Sequence, residues 1–163
     1  MSFYIIFMSL RHPQNINIDK IQKKLLGFQP TQIQEESNIQ QINQIIQDLC
    51  DTDYKVGRKH MDDSCIFVRP SGNPLNNTQW EQMMTSDDIT VKSNKLVSIN
   101  KMHINGQMAY VCYTSHGKFT YKGKENDDIA VLTSILEKKN GVWKVVFGQR
   151  STGRKPEDQL PVF

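Results

Sequence analysis

The feature that most constrains this chain is a series of strand-forming runs joined by tight glycine turns. Leu96–Ile104 and Met108–Tyr121 flank Asn105-Gly106. Lys122-Gly123-Lys124, with Glu125-Asn126, leads into Ile129–Lys139, and Asn140-Gly141 leads into a final run ending at Arg150. Asn-Gly is a strong hairpin signal because both central residues of a type I′ turn need φ > 0. Beyond the last run, Gly153 and Pro156 stop the ladder. The pattern predicts a meander of four antiparallel strands. Ile129, Val131 and Ile135 alternate with Ala130, Leu132 and Leu136, so the sheet is apolar on both faces. Such a sheet must be covered twice. Helices can cover one side, and a second copy of the sheet is the simplest cover for the other, which predicts a homodimer through the sheet face.

The covering helices lie upstream. Thr31 with Gln34 forms a capping-box pattern, followed by Ile39, Ile42, Ile46 and Leu49 at helical spacing. Asp51 or Thr52 is placed to cap a second, shorter helix, which Asp62-Asp63-Ser64 ends. Cys65–Val68 reads as a short strand, and Arg69-Pro70-Ser71-Gly72-Asn73-Pro74 as a loop. Thr78 with Glu81 suggests a third helix with Trp80, Met83 and Met84 on its apolar side. The fold class is therefore α+β. Residues 1–30 form an extension in which Ile18, Ile21, Leu25 and Phe28 share one face of a short helix. The main domain covers 31–156, and 157–163 is a tail.

At 163 residues the chain is long enough to bury a core without staples. Its net charge of +3, with no basic stripe interleaved with aromatics, argues against a nucleic-acid partner. Cys50, Cys65 and Cys112 form no CxxC pair or metal-spaced cluster and are expected as buried free thiols. No cofactor or metal is expected. The first ten residues are apolar but too short to span a bilayer, and they lack a leading charge and a small-residue cleavage site. The expected location is cytoplasmic. A mitochondrial one is the alternative, because the segment before Asp19 has no acid and carries Arg11. Translation can start at Met1 or Met8.

Three helices, a short strand after the second, and a closing four-strand meander make a specific order. Together with Val68-Arg69-Pro70-Ser71-Gly72, the Trp80 helix, and Asn140-Gly141-Val142-Trp143-Lys144-Val145-Val146 with Ser151, that order resembles the nuclear-transport-factor-2-like superfamily, in particular its SnoaL-like branch. The resemblance covers about residues 31–156. It implies three helices packed on a strongly curved antiparallel sheet, a cystatin-like α+β cone with a pocket at its open end, and frequent dimerisation through the sheet. The superfamily holds isomerases, cyclases, hydrolases, kinase hub domains and purely assembling subunits, so fold does not give function.

Individual residues narrow the chemistry. Ketosteroid-isomerase-like members place a proton-abstracting acid before the proline of the first-strand motif, but Arg69 stands there and cannot be a base. The position of their second acid falls near Thr133. Asp63, His103 and His116 remain as catalytic candidates for an isomerase, cyclase or hydrolase. Arg69 and Arg150, each near a strand end, are candidates for binding an anion or carboxylate. Trp80, Tyr110 and Phe119 are candidate walls of a hydrophobic pocket. The leading expectation is a non-catalytic, dimeric binding or assembly domain holding a small organic or anionic ligand. An enzyme of the SnoaL-like type and an accessory subunit of a larger protein assembly are the alternatives.

Overall fold

The computed structural model describes residues 30–158. The predicted N-terminal helix, the alternative start at Met8 and the last residues of the tail lie outside them. By internal contacts the chain divides into Met1–Ser37 and Asn38–Phe163. Within the first unit, the described residues are the opening turns of helix α1 (Pro30–Leu49). The second unit holds the rest of α1 and all of the remaining elements.

After α1 come α2 (Tyr54–Arg58), β1 (Met61–Val68), β2 (Pro74–Asn76) and α3 (Asn77–Met84). The meander is β3 (Ile89–Asn105), β4 (Met108–Tyr121), β5 (Lys124–Lys139) and β6 (Val142–Arg150). All six strands join one sheet in the order β2-β1-β6-β5-β4-β3. The sheet is mixed, because β1 pairs with β6 in parallel while the other neighbours are antiparallel. The chain is thus α+β, with described helices of 20, 5 and 8 residues.

The hairpin turns follow from local stereochemistry. Asn140 and Gly141 have φ of 51° and 82°, and Lys122 and Gly123 have 49° and 76°. Both are two-residue loops with two left-handed residues, whose twist matches that of the flanking strands. The first hairpin turns at Gly106-Gln107, because Asn105 still pairs with Met108. β3 starts seven residues earlier than the apolar pattern predicts, and β5 starts five earlier. Their added ends, such as Thr90, Ser93, Glu125 and Asn126, are polar, yet the backbone ladder with β4 runs through them. A ladder needs main-chain partners, whereas the alternation signal needs a buried face.

Other differences have local causes. Asp62-Asp63-Ser64 lies inside β1 instead of ending a helix. The Asp62 carboxylate accepts from the Ser64 amide (3.0 Å) and hydroxyl (2.6 Å), and the ladder to β6 is irregular between Met61 and Ile66. The turn chemistry is present, but it makes a bulge. α2 is capped by Asp53, not by Asp51 or Thr52. α3 is capped by Asn76 in a reciprocal box with Gln79, two residues before Thr78 and Glu81.

One face of the sheet carries the core. Ile42, Ile45, Ile46 and Cys50 of the α1 segment pack with Met61 and Cys65 of β1 and with Val111, Tyr113, Leu136, Trp143 and Val145 of the meander. Ile45 joins the predicted stripe, whereas Ile39 is exposed. Trp143 is fully buried, and its indole N–H donates to Asn38 Oδ1 at 3.2 Å, so its polar edge is satisfied. Cys50 and Cys65 are buried, but Cys112 is only half-buried, because it faces away from the core beside Asn100.

Candidate functional site

Along β4 the inward positions are Ala109, Val111, Tyr113, Ser115, Gly117, Phe119 and Tyr121, a period of two that ends well beyond the packed core. Past Val111 these residues line a cavity of about 390 Å³. Phe67 of β1, Trp80, Met83 and Met84 of α3, Val91 of β3, Leu132 of β5 and Val145 of β6 supply apolar walls. Tyr54 stands edge-on to Trp80, with ring centroids 5.7 Å apart. A volume of this size suits a small organic molecule.

Two glycines permit close packing at and near this site. A Cβ on Gly148 would stand 2.9 Å from the Phe67 ring, so this position on β6 lets Phe67 lie flat against the strand. Gly153, beyond β6, packs so closely on the Asp128 carboxylate that any side chain would collide with it. The chain after β6 is held there by a bridge between Ile129 and Arg154 and by bonds between Ser151 and Val131.

Two arginines reach the cavity and behave differently. Arg150, at the end of β6, pairs with Asp128 of β5 through one guanidinium nitrogen, 2.9 and 2.8 Å from the two carboxylate oxygens, and lies over Phe119. Its charge is spent internally. Arg69 follows β1, in a turn closed by the Gly72 amide on its carbonyl. The Arg69 guanidinium donates to the Tyr121 hydroxyl at 3.2 Å and sits 5.6 Å from that ring's centroid. No carboxylate pairs with it among the described residues. Asp51, in the turn before α2, also borders the cavity, and one of its carboxylate oxygens accepts from the Asp53 amide.

Deeper in, the walls carry hydroxyls. Tyr113 and Ser134 are buried and lie 3.3 Å apart, oxygen to oxygen, and Ser115 is buried beside them on β4. Burial, the largest influence, pushes the Tyr113 phenol above its usual range, so it stays protonated at neutral pH. Burial likewise raises the Cys65 thiol to about 11, with help from Asp62, and Cys50 to about 12. Both are neutral thiols without nucleophilic character.

Arg69, Trp80, Phe119 and Arg150 therefore come together around one cavity. The other candidates lie elsewhere. His103 and Tyr110 pack against each other on the opposite face of the sheet, ring centroids 5.6 Å apart. His116 is on that same outer face, hydrogen-bonded to Asp127 at 2.6 Å. Asp63 is exposed. The cause is strand parity: Tyr110 and His116 have even numbers on β4, whose inward residues are odd, and His103 pairs with Tyr110. Among the described residues no histidine lines the cavity, and none form a group of three or more potential metal ligands. Sequence reasoning missed Tyr113, Ser115 and Ser134. Their signal was present in the same parity, since they alternate with outward Thr114 and Thr133.

Residues 37–158 match the model of a family described as protein of unknown function (DUF3804). Among solved structures, an NTF2-like protein of unknown function from Prochlorococcus is 34% identical, covering 71% of this chain and 93% of its own, with a TM-score of 0.66. A putative Ca/calmodulin-dependent kinase II association domain from Exiguobacterium sibiricum is 14% identical over 80% of this chain and all of its own, at 0.60. The association domain of CaMKII from C. elegans is 19% identical over 74% and 96%, at 0.52. At these lower identities the likeness is one of fold. No curated protein matches the chain.

Proposed function

The chain belongs to the DUF3804 family, with the NTF2-like fold, and from that premise we propose that its 31–156 domain is a non-catalytic, self-associating module that binds a small organic anion. The observation that carries this reading is Arg69. A guanidinium without a carboxylate partner among the described residues borders an apolar cavity, and a carboxylate seated there gains a charge-assisted hydrogen bond while its hydrocarbon body is buried. Against the catalytic alternative, His103 and His116 face away from the cavity, and the Asp51 carboxylate at its border is engaged by the Asp53 amide.

Self-association rests on the outer face. Tyr110, Ile135 and Phe147 form one row across β4, β5 and β6. Met108, Tyr110 and Val131 are exposed on that side. Two structural neighbours are named as association domains, which favours the same reading.

Isothermal titration with octanoate and its uncharged analogue octanamide tests the binding claim. Octanoate is expected to bind and octanamide to bind at least tenfold more weakly, the worth of one charge-assisted bond (about 1.5 kcal/mol or more). Equal affinities, or no octanoate binding at millimolar concentration, refute it.

A further inference from the structure

The hydroxyls deep in the cavity do not balance. Tyr113 and Ser134 each carry one O–H donor. At 3.3 Å they share one hydrogen bond, whichever of them donates. One hydroxyl proton is therefore left over, and no other acceptor meets either oxygen among the described residues. Ser115 adds a further hydroxyl that opens on the cavity. Tyr113, Ser115 and Ser134 are 3%, 6% and 2% exposed, yet all three border the cavity. A buried donor left unmade is costly, and a native interior supplies it with an acceptor.

The position of this cluster matters as much as its chemistry. It lies on the same row of inward residues as Tyr121, eight residues further along β4, where Arg69 docks. At about 3.3 Å per residue that is at most ~26 Å of strand. Between the two ends the walls are mostly apolar, with Phe67, Trp80, Phe119 and Leu132, and their polar members are Asp51, Ser93, Asn94 and the Asp128-paired Arg150. The site is polar at both ends and greasy in the middle, cationic at one end and hydroxyl-donating at the other.

Resting on the anion-binding reading above, we propose that the ligand is an elongated organic acid whose far end carries a neutral hydrogen-bond acceptor, such as a ketone or aldehyde carbonyl. Its carboxylate sits on Arg69, and its carbonyl oxygen accepts the spare proton of the Tyr113–Ser134 pair, with Ser115 beside it. A plain fatty acid of the same length leaves that proton unsatisfied and binds less well.

The test is titration with hexadecanoate and with 8-, 11- and 14-oxohexadecanoate, whose carbonyls sample the distance from Arg69 to the hydroxyl cluster. At least one oxo acid is expected to bind about fivefold tighter than hexadecanoate, the worth of one neutral hydrogen bond. In Tyr113→Phe and Ser134→Ala that preference is expected to disappear while hexadecanoate affinity stays within twofold. Retained hexadecanoate binding shows that each variant is folded. If hexadecanoate binds but no oxo acid gains, or if the gain survives both substitutions, the carbonyl subsite is overturned and the anion reading stands. If neither hexadecanoate nor any oxo acid binds, the anion reading fails and takes the subsite with it.

Discussion

Arg69 and Arg150 provide the sharpest test, because they are the same residue type at one cavity with opposite roles. In Arg69→Gln the losses to folding are a partly exposed, charge-assisted hydrogen bond to the Tyr121 hydroxyl and a cation–π contact. Glutamine recovers part of the former, so the cost is about 1 kcal/mol. At about 4 °C per kcal/mol for a domain of this size, Tm falls by roughly 4 °C. In Arg150→Gln the Asp128 carboxylate, whose side chain is 18% exposed, loses its one ion-pair partner among the described residues. A fully buried pair broken in this way costs about 3–5 kcal/mol and an exposed one under about 1, so about 2–3 is expected here, or roughly 8–12 °C. Ligand affinity runs in the opposite order. Arg69→Gln removes the charged donor and weakens octanoate about tenfold to a hundredfold, while Arg150→Gln leaves it within a few-fold, measured below the variant's Tm. Calorimetry gives both quantities on one sample. If Arg150→Gln abolishes binding while Arg69→Gln leaves it intact, the division into a binding and a structural arginine is wrong.

Neighbouring residues of β5 test the two faces of the sheet. Leu136 is fully buried, so Leu136→Ala is expected to cost about 2–5 kcal/mol in denaturant unfolding. Ile135→Asp, on the outer row, is expected to shift sedimentation from dimer to monomer with the far-UV spectrum unchanged; a wild-type protein that sediments only as an 18.8 kDa species at micromolar concentration sinks the dimer. Asp48 supplies a pH test. Burial raises its carboxyl, but bonds from His60 (2.7 Å), Lys59 (3.0 Å) and Gln44 (2.7 Å) outweigh that and hold it at about 2. Its folded value lies below its unfolded one of about 3.9, so its contribution is complete above that pH and is lost as pH falls through about 2. Asp48→Asn should therefore lower stability at pH 7 and flatten the acid limb between about pH 4 and 2; an unchanged limb means that the cluster adds nothing.

Much of this molecule is legible in its sequence, because the relevant signals are local. The two left-handed residues at Asn140-Gly141, the isoleucine period of α1 and the alternation of β5 depend only on near neighbours in the chain. They account for the meander, the helix that covers it and the α+β class. Strand parity within β4 is also local, and followed through it puts Tyr110 and His116 on one face and Tyr113 and Ser115 on the other.

Other features depend on contacts between distant parts of the chain. That β1 lies parallel to β6 and adds β2 to the sheet is decided by backbone pairing across some eighty residues, for which no side-chain pattern codes. The same holds for the bulge at Asp62-Asp63-Ser64, where a turn-forming triplet is overruled by the ladder on either side. Above all, two arginines that look equivalent in the chain differ because Asp128, twenty-two residues before Arg150, folds back onto that one and not onto Arg69. Charge partners are chosen by proximity in space, and that proximity exists only once the sheet has formed.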